Sequence, residues 1–160
     1  MLLSDTHSHI DDAILKYAQL ADEVWHAGDI GDQKITDSLQ KIKPLRAVYG
    51  NIDDKSVRIL FPVNNRFFCE GVDVLITHIG ANPRSFNPKL KEELTLNPPK
   101  LFVCGHTHVL KVGFDKKRNF LEMNPGACGI FGSHGVRTML RFVIDGERIS
   151  DLEVIELGNR

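Results

Sequence analysis

The sequence predicts an α/β domain in which a pair of mixed β-sheets is flanked by helices. Three observations carry this. In the first half, short apolar runs alternate with helical patterns, the signature of layered α/β architecture. In the second half, apolar runs follow one another through the hairpin-like stretches "VGFDKKRNF" and "VIDGERI", so part of the sheet system is antiparallel rather than a pure doubly wound sheet. No internal repeat, low-complexity segment or linker interrupts the 160 residues, which read as a single domain over 1–160.

The elements follow in order. The opening "MLLSDTH" leaves three residues before the first polar motif, so the first strand, Leu2–Leu3, is unusually short unless the start has been trimmed or misassigned. From Asp11 to Leu20 the apolar positions Ile14, Leu15, Ala18 and Ala21 fall on one helical face, with Ser8 or Asp11 as the cap. A strand is expected over Glu23–His26, then a helix that follows Asp32 and ends near Pro44. Strands follow at Leu45–Tyr49 and Val72–Thr77, and "NPKLKEELTL" forms a short third helix. The remaining strands are Leu101–Cys104, Phe120–Met123, Thr138–Ile144 and Leu152–Ile155.

Composition narrows the function class. The chain is 42% hydrophobic and 26% charged, ordinary for a globular protein. Its formal net charge of -1 supplies no basic excess for a phosphate backbone, so nucleic-acid binding is not indicated. No apolar run reaches membrane-spanning length, no secretory leader precedes the first motif, and no membrane partner is expected. Cys69, Cys104 and Cys128 are odd in number, widely spaced and form no CxxC pair, which reads as reduced thiols in a cytoplasmic protein.

The polar residues are the informative part. Nearly every early strand runs into a potential metal ligand: Asp5 and His7 after the first, Asp29 after "EVWHAG", Asn51 and Asp53 after "LRAVYG", His78 after "VDVLIT", and His106 and His108 after "KLFVCG". In layered α/β folds the ligand site lies at the carboxyl ends of the strands, so these side chains should meet at one rim. Gly28, Gly50 and Gly105 precede three of them and should let the backbone turn off the strand and approach a bound group. Each residue alone has an ordinary reading as a cap, a turn or a core histidine. His26, inside a strand, reads as a satisfied core or supporting histidine, His9 as a rim residue and His134 as a surface one. Arg84 and Arg137 read as solvated. Seven Asp, Asn and His residues at the ends of five strands, however, are poorly explained as independent caps.

Carboxylate, amide oxygen and imidazole without thiolate suit Mn²⁺, foremost here, or Ni²⁺, Co²⁺, Fe²⁺ or Zn²⁺. Seven ligands exceed one tetrahedral ion and suit two. Two dications at ~4 Å repel by roughly 16 kcal/mol at an effective dielectric near 20. A bridging carboxylate offsets that repulsion, and Asp29 stands between the others in strand order.

Taken together, "DTH", "GD", "GNID", "TH" and "GHTH" resemble, in this order, the calcineurin-like metallophosphoesterases, and most closely their small YfcE-like phosphodiesterase branch. The resemblance spans Asp5 through "NPGA" at Asn124. It implies a four-layer α/β/β/α sandwich with two mixed sheets. It implies that Asp5, His7 and His108 hold one metal, that Asn51, His78 and His106 hold a second, and that Asp29 bridges. Asp29, Asn51 and His78 are the residues expected to act at the reacting centre. The reaction implied is hydrolysis of a small phosphate-ester substrate by in-line attack of a metal-bridging hydroxide. With two dications against Asp5, Asp29 and hydroxide, the site keeps about +1, which favours an anionic ester and its transition state.

One departure matters. Related phosphatases carry a histidine after the Asn, thought to protonate the leaving group; here Ile52 stands there, so poor leaving groups should suffer unless His9 reaches the site. Asp53, which would orient that histidine, is expected to support the ligands instead. Asn124 should brace the metal loops, and Cys128 should be buried. Two other readings stand beside the diesterase: a phosphomonoesterase with the same ligands, and a non-catalytic scaffold, since a retromer subunit shares this fold with a degraded metal site. A homo-oligomer is compatible with all three. Substrate specificity should lie in the loops near 82–87 and 129–135.

Overall fold

The computed structural model describes residues 1–80, 87–133 and 135–160. Its strands are β1 (Leu2–Leu3), β2 (Val24–His26), β3 (Leu45–Ala47), β4 (Asn64–Cys69), β5 (Val72–Thr77), β6 (Leu101–Val103), β7 (Leu110–Asp115), β8 (Phe120–Pro125), β9 (Val136–Asp145) and β10 (Arg148–Asn159). The helices are α1 (Asp12–Gln19), α2 (Lys34–Gln40), α3 (Lys55–Leu60) and α4 (Pro88–Leu96). One sheet has the order β10-β9-β1-β2-β3 and the other β4-β5-β6-β8-β7. Both are mixed. The segments β1, β2 and β3 are parallel neighbours, as are β5, β6 and β8, while the hairpins β9–β10, β4–β5 and β7–β8 add the antiparallel edges.

Strand alternation creates the layers. Leu2 points to one face of its sheet and Leu3 to the other, because successive strand side chains point oppositely. Leu2, Trp25, Val74, Ile76, Leu101, Val103 and Leu140 meet between the two sheets. Leu3, Val24, Ala47 and Met139 face outward and bury Ile14 and Ala18 of α1, Ile35 and Leu39 of α2 and Val57 of α3. On the opposite side Leu75 and Phe102 cover Leu90 and Leu94 of α4. Three apolar interfaces require four layers, α/β/β/α. Strands buried on both faces read as continuous apolar runs, which is why β5 and β6 stand out in the sequence.

Several expectations shift. Asp11, not Ser8, caps α1, its Oδ1 accepting from Ile14 N–H at 3.0 Å. The second helix is shorter than expected, since after Gln40 the amides of Ile42 and Lys43 both return to the Leu39 carbonyl ahead of Pro44. β4 and α3 have no counterpart in the sequence reading. β4 is a half-buried edge strand, "NNRFFC", without clean alternation, and α3 buries only Val57. The solvated reading of Arg137 is wrong: it is 7% exposed, donating to the Cys128 carbonyl at 2.7 Å and to Asp11 Oδ2 at 2.7 Å. His134, Arg84 and most of the 82–87 loop lie outside the described residues.

Candidate metal centre

The loops leaving β1, β2, β5 and β6 at their carboxyl ends are sewn together by backbone hydrogen bonds. The Asp5, His7 and Ser8 amides donate to the carbonyls of Gly28, Asp29 and Ile30 at 3.0, 3.0 and 2.8 Å. Within the second sheet Gly105 N–H donates to the His78 carbonyl at 3.0 Å, and across the two sheets His106 N–H donates to Asp5 Oδ2 at 3.1 Å.

Those loops hold their functional side chains in an uncommon backbone state. Asp5, His7, Asp29, His106 and His108 have φ of 55°, 45°, 53°, 71° and 57°, all left-handed. Asp and His tolerate this region better than most residues, yet each occurrence costs on the order of 1 kcal/mol or more. Five of the seven predicted ligands therefore share a strain that the inter-loop bonds must offset, and such strain concentrates at functional sites.

Two clusters result. Asp5 Oδ1 lies 3.2 Å from His108 Nε2 and 4.0 Å from His7 Nε2, and the two histidine nitrogens are 3.2 Å apart. Asp29 Oδ1 lies 3.1 Å from His78 Nε2, whose ring packs edge-on against His106 with centroids 5.2 Å apart. In each trio the potential ligand atoms all fall within 4.8 Å of one another. Asp29 belongs to both neighbourhoods, because its Oδ2 is 3.8 Å from His7 Nε2. Asn51 is exposed on the loop after β3 and lines a cavity with His78.

The hydrogen-bond ledger suits a cation. His78 Nδ1 is 2.8 Å from the Ala27 carbonyl, which can only accept, so Nδ1 carries a proton and the neutral ring would turn its Nε2 lone pair towards Asp29. A metal-bound histidine is typically held this way through its other nitrogen. Among the described residues the buried side-chain atoms with no hydrogen-bond partner are Asp5 Oδ1, His78 Nε2 and Asn64 Oδ1, and the first two face the clusters. Without an ion, burial opposes charge on His78, but the Asp29 and Asp5 carboxylates outweigh it and raise its proton affinity. Burial likewise pushes Asp29 up, and His78, the Ile52 N–H at 3.1 Å and His7 more than reverse this, holding Asp29 ionised.

The surrounding residues fix these positions. Asp53, 2% exposed, accepts from Gly31 N–H and Gly50 N–H at 2.7 Å each, tying the Asp29 loop to the Asn51 loop. Asn124 Nδ2 donates to the Gly105 carbonyl at 2.9 Å and to Thr107 Oγ1 at 3.1 Å, bracing the loop between His106 and His108. His26 is fully buried and satisfied: Nδ1 accepts from Gly28 N–H at 3.1 Å, Nε2 pairs with Thr6 Oγ1 at 2.9 Å, and that hydroxyl donates to the Ile30 carbonyl at 3.0 Å. Burial lowers the His26 pKa to about 4 and raises those of Cys104 and Cys128 to about 12, leaving both thiols protonated. His9 pairs with Asp11 Oδ2 at 3.2 Å. Of the three glycines, Gly28 makes the expected sharp turn, with φ of 95°. A β-carbon at Gly50 would overlap Asp29 Oδ1 and one at Gly105 would overlap Ser4 Oγ, so these two make room for neighbouring side chains. Tyr49 and Arg58, which also line the cavity beside His78, carried no readable signal in the sequence.

A two-sheet sandwich with paired Asp/His clusters at one rim defines a metal-dependent phosphoesterase class. Residues 1–147 match the calcineurin-like phosphoesterase superfamily domain, and the chain belongs to that family. It is 26% identical to a "probable metallophosphoesterase" of Methanothermobacter thermautotrophicus, over 98% of this chain and 91% of that one. Among solved structures it is similar to a "novel archaeal phosphodiesterase" (TM-score 0.73, 18% identity, 98% of each chain). It is also similar to wild-type Vps29 complexed with zinc from Entamoeba histolytica (TM-score 0.73, 13% identity, 98% of this chain and 96% of that one). At those identities both structures speak for the fold alone. Membership in the family implies phosphoesterase hydrolase activity and divalent-metal binding. Among the described residues, no helix is long and apolar enough to cross a membrane.

Proposed function

We propose that this chain is a dinuclear metal-dependent phosphodiesterase acting on a small phosphate ester. The observation that carries the proposal is the placing of Asp29, with Oδ1 3.1 Å from His78 Nε2 and Oδ2 3.8 Å from His7 Nε2, one oxygen for each cluster. Asp5, His7 and His108 would hold one ion. Asn51, His78 and His106 would hold the other, and Asp29 would bridge. Two divalent ions, Mn²⁺ foremost, supply Lewis acidity and an activated water at neutral pH. The protein's own groups orient and insulate them: Ala27 sets the tautomer of His78, Asp53 locks the loops of Asp29 and Asn51, and Asn124 holds the His106–His108 turn. Asp29, Asn51 and His78 would act on the phosphoryl group. Ile52 offers only its backbone N–H, to Asp29, and its hydrocarbon side chain cannot protonate a leaving group, which supports diesters with good leaving groups over alkyl monoesters. The free thiols Cys69, Cys104 and Cys128 support a reducing, cytoplasmic setting.

The test is to strip the protein with chelator and add back single divalent metals. Bis-p-nitrophenyl phosphate is assayed beside p-nitrophenyl phosphate, with Asp29→Asn as control. Metal-dependent cleavage, faster on the diester and lost in the variant, is the expected result. A monoester preference would replace the diesterase reading with a phosphatase. Two bound ions without turnover of either ester would favour the scaffold reading.

A further inference from the structure

Beside the second cluster lies a cavity of about 230 Å³ that the proposed hydrolysis does not by itself account for. Asn51 and His78 are among its lining residues, together with Tyr49, Arg58, Val63 and Ile79. One wall is pinned by hydrogen bonds. The Arg58 guanidinium is held by two carbonyls, Nε donating to Asp53 at 2.6 Å and Nη2 to Asn51 at 3.1 Å. Its central carbon stands 5.0 Å from the centre of the Tyr49 ring, within cation–π range. The Arg58 guanidinium and the Tyr49 ring therefore present two adjoining flat π systems to the cavity. Val63 and Ile79, 48% and 36% exposed, form an apolar side.

From this we infer that the cavity is a subsite for a single planar ring carried on the phosphate or phosphonate group bound at the metal centre. Rings stack on guanidinium and phenol faces, and an apolar wall rewards burying the ring's other face. Size limits the occupant. A cavity of ~150 Å³ holds one benzene, whereas drug-sized ligands need roughly 300 Å³ or more. The 230 Å³ here therefore accommodates one six-membered ring, of phenyl or pyrimidine size. Its position makes the ring part of the same molecule as the phosphoryl group, since Asn51 and His78 line the cavity and belong to the centre. The inference rests on the phosphoesterase reading and adds its substrate class, an aryl or single-ring heteroaryl ester.

The test is calorimetric titration of the Zn²⁺-loaded protein with phenylphosphonate and with methylphosphonate, two ligands that share the anion and differ in the ring. Phenylphosphonate should bind at least tenfold more tightly. Val63→Trp, which fills the cavity, should bring the ratio of affinities to within twofold of one, and Val63→Ala should keep it above fivefold. Amide chemical-shift differences between the two complexes of the unmutated protein, centred on Tyr49, Arg58, Val63 and Ile79, supply a readout that needs no variant. Equal affinities in the unmutated protein, a ratio unchanged by Val63→Trp, or shift differences elsewhere would overturn the subsite while leaving the metal centre standing. Failure of both phosphonates to bind would overturn the phosphoesterase reading and the subsite together.

Discussion

Asp29 Oδ1 and His78 Nε2 face each other at 3.1 Å in a buried site, while the other nitrogen of that ring is committed to the Ala27 carbonyl. Two acceptors at this distance need a cation, and in the metal-free protein a proton on His78 serves. Divalent metal should therefore both displace that proton and stabilise the fold. An ion at 100 times its dissociation constant adds about 2.7 kcal/mol. Thermal unfolding of chelated protein with and without Mn²⁺ should show the shift, with two ions per chain by elemental analysis. Asp29→Asn should abolish most of the shift and lower phosphodiesterase turnover by at least about 100-fold.

Asp53 holds two loops through two amides at 2.7 Å each. Asp53→Ala leaves the half-buried Gly31 and buried Gly50 N–H groups without this acceptor, and each such loss costs about 1–3 kcal/mol. The variant should lose roughly 3 kcal/mol in urea unfolding and 10–100-fold in metal affinity, although Asp53 belongs to neither ligand cluster. Unchanged metal affinity with lowered stability would reduce Asp53 to a purely structural residue.

His26 predicts an acid-sensitive fold. Burial holds its pKa at about 4 against 6.5 for the free side chain, so between these values the unfolded chain binds the extra proton. Stability then rises with pH, and the contribution is lost as pH falls from 6.5 towards 4. The shift corresponds to about 3 kcal/mol. Protonation would also place a second donor opposite Gly28 N–H and loosen the loop that carries Asp29. Metal-free unfolding curves at pH 7, 5.5 and 4 should show the loss, and His26→Gln should flatten it; His78, whose shift has the opposite sign, is common to both proteins and cancels in the difference.

Ile52 places a hydrocarbon 23 residues from Asp29 in sequence but one hydrogen bond away in space. Ile52→His should supply a proton donor. Turnover of an ester with an alkyl leaving group should rise about tenfold or more, with little change for p-nitrophenoxide, which needs no proton. Equal effects on both leaving groups would point to altered binding instead.

The sequence by itself determined which residues could reach the rim. Short apolar runs mark β1, β2, β5 and β6, and a polar residue just past a strand must lie at its carboxyl end. That places Asp5, Asp29, His78 and His106 at one edge of their sheets before any coordinates exist. The turn-rich hairpins were equally legible. What only the tertiary structure decided is how the loops meet. Asp5 pairs with His108 across the junction of two different sheets, and local periodicity carries no information on how one sheet seats on another. The left-handed φ of five ligand residues, the Asp53 staple, the tautomers of His26 and His78 and the cavity under Arg58 all follow from that seating. The edge strand β4 and the single-residue core contact of α3 escaped notice for the related reason that short, half-buried elements take their form from neighbours rather than from their own pattern.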